Sequence, residues 1–254
     1  MNKIMDSSKI VVPEVADQAN DRNWLEKNFT PSPAKCSSLL DLNDDCLLEV
    51  LQYITVRDAF TLLETFANRL HDVVHKRISQ LKILTFDLRN APDFTIEQLQ
   101  IIGKHLKTLN ICVGYSLSSD LCIFRYLKPL CYYGSIEQMT LNYVNFNEAY
   151  QQCILNLAAN LRFLDLSFCQ LTDELLEPIL ENCMLLEKLS IIGNYEWRGK
   201  SLFSIKSPKI GQITIELNDL CEEQVETFAR HIGESICLII FNKGRSNHHK
   251  GHFR

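Results

Sequence analysis

The 254-residue chain has few of the features that mark enzymes, membrane proteins and nucleic-acid-binding proteins. No apolar run approaches the roughly 18 residues of a membrane-spanning helix. The net charge of -5 argues against a phosphate backbone as the main partner. The nine glycines are scattered and form no phosphate-cradling loop, and H-E-x-x-H and G-x-S-x-G are absent. These absences predict a protein that is not an enzyme, needs no cofactor, and binds neither nucleic acid nor membrane.

Cysteine is abundant, but paired cysteine motifs are lacking. The ten cysteines include no C-x-x-C pair, so a zinc site has little support. The amino terminus lacks the apolar core of a signal peptide, which favours a reducing compartment, the cytoplasm or the nucleus or both. We therefore expect free thiols, mostly buried. The alternative is a thiol- or metal-dependent enzyme that uses Cys169 or Cys183.

A repeating unit is clearest between residues 161 and 186. Five residues there fill the spacing L-x-x-L-x-L-x-x-N/C-x-L: Leu161, Leu164, Leu166, Cys169 and Leu171. Thr172, Asp173 and Glu174 can then cap a short helix. The apolar face of that helix would consist of Leu175, Leu176, Ile179 and Leu180. The same spacing begins again at Leu186. This stretch therefore predicts a strand, a turn, a helix and a connection to the next strand.

Related apolar triplets recur along the second two thirds of the chain. They begin at Leu81, Leu106, Ile136, Leu161, Leu186, Ile210 and Ile236, in steps of 25, 30, 25, 25, 24 and 26 residues. The longer step predicts an insertion near Tyr115 to Asp120 or near Tyr132. The pattern resembles the cysteine-containing leucine-rich repeats, which implies an α/β solenoid with parallel strands on the concave face and helices on the convex face.

The residues before the repeats divide into two segments. Residues 1–37 mix charge and proline without periodicity, which predicts a disordered tail. Residues 38–80 predict a three-helix bundle, the first helix capped by Asp44 or Asp45 and the second by a capping box from Thr55 to Asp58. Residues 81–242 then form the solenoid, and residues 243–254 a basic unstructured tail.

The stretch from Leu39 to Val74 resembles an F-box. The residues that match its pattern are Leu42, Asp44, Asp45, Leu47, Val50, Leu51, Tyr53, Ile54 and Asp58. Asn43 replaces the usual proline, and the late tryptophan is missing near Arg69 and Leu70. The resemblance implies docking on a Skp-family adaptor and, through it, on a cullin in an SCF ubiquitin ligase. The implied adaptor-binding residues are Leu42, Asn43, Leu47, Val50, Leu51, Ile54 and Asp58.

The repeats would then select a protein substrate. In an L-x-x-L-x-L strand the leucines point inward, and the intervening side chains lie on the exposed sheet face. On that face we predict substrate contacts from Arg162, Phe163, Asp165, Glu187 and Lys188. A rim loop adds Tyr195, Trp197 and Arg198, residue types that are enriched at interface hot spots. For Trp197, packing against the solenoid edge is an equally good alternative.

A second interpretation assigns the chain no role in ubiquitination. The chain would be a leucine-rich-repeat scaffold for protein interactions, and its helical start would be the cap that a solenoid needs. The departures at Asn43 and at the missing tryptophan favour this alternative.

Overall fold

The computed structural model describes residues 38–66, 69–87, 91–112, 120–218, 220–232 and 236–242. The chain divides into two compact units, Met1–Leu42 and Asn43–Arg254. In the first, a 3-10 turn spans Leu39–Asp41, and Ser38 caps it through a reciprocal capping box. The predictions for the tails 1–37 and 243–254 lie outside the described residues, as does most of the insertion predicted near Tyr115.

The second unit begins with the three predicted helices: α1 (Asp44–Leu51), α2 (Val56–Thr65) and α3 (Arg69–Ser79). The predicted cap of α1 is wrong by one residue. Asn43 is the N-cap, and its Oδ1 accepts a hydrogen bond from the Cys46 amide at 2.8 Å. Asp44 and Asp45 occupy the first turn, where negative charge suits the helix dipole. Thr55 caps α2 as predicted, accepting from the Asp58 amide at 3.1 Å, but the Asp58 carboxylate accepts from the Thr55 hydroxyl at 2.7 Å in place of the reciprocal bond of the predicted capping box.

Seven parallel strands follow in sequential order and form one sheet. They are β1 (Ile83–Asp87), β2 (Thr108–Cys112), β3 (Gln138–Asn142), β4 (Phe163–Asp165), β5 (Lys188–Ser190), β6 (Gln212–Leu217) and β7 (Cys237–Asn242). Each of the first six begins two residues after its predicted triplet start. Because every strand pairs with the next one along the chain, the sheet grows by one strand per repeat.

A helix fills most of the connections between strands. These helices are α4 (Ile96–Gly103), α5 (Asp120–Cys131), α6 (Glu148–Leu155), α7 (Asp173–Asn182) and α8 (Glu222–Ile232). A 3-10 helix, Lys200–Ser204, takes this place between β5 and β6. Helices of adjacent repeats pack against one another. Together with the sheet they enclose an apolar core in which Leu109, Leu164 and Leu189 are at most 1% exposed.

The frame predicted for the last repeat is shifted by one residue. Ile213 and Ile215 pair in register with Leu238 and Ile240, whereas a start at Ile236 puts Ile239 and Phe241 at those inward positions. Phe241 is 44% exposed. The prediction failed here because almost every residue of β7 is apolar, so hydrophobicity alone does not distinguish the two faces.

Polar groups link successive repeats at the turns after β4, β5 and β6. The Cys169 thiol donates to the Leu141 carbonyl of the repeat before it, with Sγ and O 2.9 Å apart. One repeat later, Asn194 bridges backbone groups of its own and the preceding repeat. Asn218 continues the series by donating to the carbonyls of Asn194 and Trp197. Parallel strands, stacked helices and this cysteine–asparagine series are the architecture of a leucine-rich-repeat solenoid.

The helical bundle packs against the first repeat. Phe60 of α2 and Phe94, just before α4, are 3% and 4% exposed, and their ring centroids lie 5.9 Å apart in an edge-to-face arrangement. Near them, the Gln98 side chain donates to Glu64 at 3.2 Å. The bundle therefore covers apolar surface that the first repeat would otherwise expose to water.

Candidate functional site

The exposed sheet face presents two rows of side chains that run across the strands. In one row Phe163 lies between Gln138 and Lys188, its partners in the strand register. Phe163 is only half-buried, because alternate residues of a strand point away from the core. The structure thus brings Phe163 and Lys188, both predicted to contact substrate, next to one another.

The second row consists of small polar groups. Asp165 lies beside Ser190 in the register and accepts hydrogen bonds from the amide and the hydroxyl of Ser167. The Ser167 hydroxyl also lies 3.2 Å from that of Ser190. Asp165 therefore stabilises the turn after its own strand, while part of its side chain remains accessible on the predicted face.

A ladder of alternating charge runs along the edge of this face. Lys107 Nζ lies 2.7 Å from Glu137 Oε1, and Arg162 Nη1 lies 2.6 Å from Glu187 Oε1. Arg162 Nε reaches Glu137 Oε2 at 4.0 Å and joins the two pairs. Arg162 and Glu187, both predicted to bind substrate, are therefore neutralised by one another. A partner can contact them, but it would contact two paired, opposite charges and not two unpaired ones.

The rim loop after β5 places its three predicted contact residues differently. Tyr195 is 50% exposed, and Arg198 is exposed. Trp197 is 1% exposed, and its Nε1 donates to Ser201 Oγ at 3.0 Å. The prediction of a substrate contact from Trp197 is wrong, and the packing alternative holds, because Trp197 fills the core beneath the loop.

Buried Asp173 holds this loop in place. Its carboxylate accepts hydrogen bonds from the Arg198 amide at 3.0 Å, from the Ser201 amide at 2.7 Å and from the Ser201 hydroxyl at 2.8 Å. We predicted only a helix cap from Thr172 to Glu174, and Thr172 makes no side-chain cap. Asp173 instead connects α7 to the next repeat.

The residues predicted to bind an adaptor divide into inner and outer groups. Leu47 and Leu51 are 0% and 2% exposed, so these two side chains pack inside the bundle and are not offered to a partner. Val50 is 42% exposed, and Tyr53, just beyond α1, is 90% exposed. Ile54 is partly exposed. Asn43 and Asp58 take part in the hydrogen bonds at the starts of α1 and α2, and both residues are exposed. Leu42 belongs to the first unit.

Arg69 and Leu70, near the missing tryptophan, have structural roles. The Arg69 guanidinium pairs with Asp44 at 2.6 Å and so ties α3 to the start of α1. Leu70 is 4% exposed and supplies apolar contact in the bundle core. The bundle therefore closes without the large aromatic anchor.

The two cysteines considered for thiol chemistry, Cys169 and Cys183, are both buried. Burial raises the pKa of Cys169 and of Cys183 from 9.0 to about 12, so both thiols stay protonated at neutral pH. In the part of the chain that the structure describes, no three His, Cys, Asp or Glu side chains are grouped to hold a metal ion. None of the helices described there has the length and apolarity needed to cross a membrane.

One rim feature was missed by the sequence analysis. Tyr143 and Phe168 both have a left-handed backbone, with φ of 61° and 60°, and their rings stack 4.8 Å apart. Gly193 is the equivalent residue of the next repeat, with φ 71°, and a Cβ there would lie 2.2 Å from Phe168 Cδ1. All three residues stand seven positions after their repeat starts. This shared position in the repeat could have been used to predict the feature from the sequence.

Comparison with known proteins gives no family for this chain. No family model matches the chain, and no curated protein matches it. Among solved structures, the TLR13–ssRNA13 complex is similar at 15% sequence identity and a TM-score of 0.38. The match covers 57% of this chain and 20% of that chain. At these values the similarity carries no argument about fold or binding, and the RNA belongs to that complex alone.

Proposed function

We propose that the chain is a non-catalytic substrate-recognition subunit of an SCF-type ubiquitin ligase, in the cytoplasm or nucleus or both. The bundle would dock on a Skp-family adaptor and thereby on a cullin, and the sheet face would bind a protein substrate. Such a subunit acts by raising the effective concentration of substrate near the ubiquitin-conjugating enzyme.

The observation behind this proposal is that the α1 region is partly buried and partly exposed. Leu47 and Leu51 anchor it in the bundle, while Val50 and Tyr53 expose apolar surface at F-box positions. Tyr53 is 90% exposed, and a tyrosine held on a rigid support is a common interface hot spot. An apolar surface of this kind is consistent with a helical protein partner.

The test is co-expression with a Skp-family adaptor followed by size-exclusion chromatography. The double variant Val50→Asp/Tyr53→Ala should weaken the complex by about a hundredfold and leave the circular dichroism spectrum unchanged, because both side chains lie outside the core. Tyr132→Ala removes a tyrosine that is 65% exposed on a different part of the surface, and it is the matched control. A wild-type chain that stays folded and unbound beside the adaptor would overturn the proposal.

The packing of Phe60 on Phe94 favours a second candidate, a protein-interaction scaffold whose bundle only caps the repeats. In that case Phe60→Ala should speed hydrogen exchange in β1 and β2, and no adaptor should bind. Capping would rest on Phe60, and docking on Val50 and Tyr53. Adaptor binding by the wild-type chain would therefore exclude the cap-only version even if Phe60→Ala loosens the first repeat.

A further inference from the structure

The charge ladder on the sheet face ends at a glycine. Its row is defined by backbone hydrogen bonds in which each amide donates to the carbonyl one repeat earlier. The residues in this row are Lys82, Lys107, Glu137, Arg162, Glu187 and Gly211. Gly211 is the only one of these six without a side chain, so the charged side chains of the row end at Glu187.

The missing side chain leaves a shallow depression on the sheet face. It is lined by Glu187, Lys188, Lys209, Gly211 and Gln212. A Cβ at Gly211 would meet only the Glu187 and Lys209 carbonyl oxygens, each at 4.0 Å, so the space is open. The φ of Gly211 lies outside the range that favours glycine, so the backbone there would accept other residues.

The lining carries one net positive charge. Lys188 and Lys209 are exposed, and neither has an ion-pair partner among the residues that the structure describes. Glu187 is the one acid in the lining, and its Oε1 is already bound to Arg162. Two lysines and one partly neutralised glutamate favour a ligand with a single negative charge.

Recognition at this depression must come from side chains. The Gly211 amide donates to the Glu187 carbonyl, and the Gly211 carbonyl accepts from the Cys237 amide, both at 2.9 Å. The groups left for a ligand are the ammonium groups of Lys188 and Lys209 and the carboxamide of Gln212, whose Nε2 also donates to Thr214 Oγ1 at 3.4 Å. Lys188 and Gln212 are neighbours in the strand register, so both can act on the same ligand group.

We propose that this depression binds a glutamate or aspartate side chain from an extended segment of the protein partner. The proposal rests on the proposed protein-binding role of the sheet face. A phosphorylated side chain fits less well, because the lining lacks the forked guanidinium that suits a dianion, and Glu187 would repel the second charge. The partner carboxylate would lie between the Lys188 and Lys209 ammonium groups.

The test is an NMR titration of the full chain, following the Gly211 amide. The probes are blocked peptides of alternating glycine and glutamate, of glycine and glutamine, and of glycine and phosphoserine. The glutamate peptide should give saturable shifts that weaken when salt is raised from about 0.1 M to about 1 M. The glutamine peptide should give none. Equal shifts from the glutamine peptide, or about tenfold tighter binding of the phosphoserine peptide, would overturn the carboxylate assignment.

Charge-matched variants locate the site. Lys188→Gln/Lys209→Gln should weaken binding of the glutamate peptide by about tenfold or more. Lys200→Gln/Lys206→Gln changes the net charge equally at two other exposed lysines and should alter binding less than about twofold. Equal losses in the two pairs would mean a diffuse electrostatic attraction and would overturn the site.

A third variant fills the depression without removing a lysine. Gly211→Glu puts a carboxylate between the two lysines and should abolish peptide binding while the strands keep their register. Unchanged peptide binding in Gly211→Glu would also overturn the site. Peptide binding without adaptor binding would overturn only the ligase role. Adaptor binding without peptide binding would overturn only the carboxylate site.

Discussion

The side-chain oxygen of Asn194 accepts a hydrogen bond from the backbone amide of Cys169, one repeat earlier, at 2.9 Å. It also accepts from the Leu171 amide at 3.0 Å, while Nδ2 donates to the Leu166 and Ile191 carbonyls at 2.9 Å each. Asn194 is 3% exposed, so water cannot replace these partners. One carboxamide therefore satisfies four buried backbone groups and joins two repeats.

Asn194→Ala should lower the free energy of unfolding by about 3 kcal/mol, because buried backbone donors and acceptors lose their partner. Urea denaturation followed by circular dichroism measures the change. Asn156→Ala, at an exposed position after α6, should stay within about 0.5 kcal/mol of wild type. A loss of similar size in the two variants would contradict the bridging role of Asn194.

The pair Arg162–Glu187 should contribute little to stability despite its short distance. Both side chains are more than 40% exposed, and exposed pairs couple by about 0.2–1 kcal/mol. A double-mutant cycle with Arg162→Gln and Glu187→Gln should give a value in this range that decreases in about 1 M salt. A larger, salt-independent coupling energy would show that the ladder is a structural element and not a surface feature.

Asp173→Ala should release the rim loop. The variant loses all three hydrogen bonds to Arg198 and Ser201 and should cost about 2–4 kcal/mol of unfolding free energy. Trp197 lies in the same loop, so its fluorescence should shift to the red at lower urea concentrations than in wild type, measured with Trp24→Phe in both chains. Glu174→Ala, at the next position and exposed, is the control and should leave the emission unchanged.

The thiols should divide by burial in their reaction with iodoacetamide. At about pH 8, Cys46, Cys112 and Cys237, which are exposed, should be alkylated in the folded chain, whereas Cys169 and Cys183 should react only after unfolding. Peptide mass spectrometry after timed quenching resolves each site. Rapid alkylation of Cys169 in the native chain would revive the hypothesis of a catalytic thiol.

The same burial predicts how stability depends on alkaline pH. The folded pKa values of Cys169 and Cys183, about 12, lie above the ordinary 9.0, so the folded state holds these protons more tightly. Their contribution is therefore complete below about pH 9 and is lost as the pH rises toward 12. Cys183→Ala should reduce the slope of unfolding free energy against pH in this window, and an unchanged slope would contradict the assignment.

Several features were predictable from local patterns. The apolar triplets predicted the starts of six strands, and Thr55 predicted the start of the second helix of the bundle. The prediction failed where the pattern was uniform, as in the apolar strand β7. It also failed at the first helix of the bundle, because Asn and Asp are both favoured N-cap residues and three of them stand in a row. Asn43, and not Asp44 or Asp45, is the N-cap.

The candidate site was less accessible to sequence reasoning. The alternation along each strand placed Phe163 and Lys188 on the exposed face, which follows from strand geometry alone. It did not show that Trp197 is buried, because an aromatic residue in a loop can pack inward or face water. Nor did it show that Val50 and Tyr53 remain exposed while Leu47 and Leu51 are buried.

The sequence by itself determined the repeat period, the inward-facing residues of most strands and the start of α2, because each depends on residues a few positions apart. Tertiary structure alone decided that Arg162 pairs with Glu187, that Asp173 holds the next loop and that Gly211 interrupts a row of charges. Those relationships join residues about one repeat apart, 25 positions in the case of Arg162 and Glu187. Only the stacking of successive repeats brings such residues together, and the exact register of the strands determines which side chains meet.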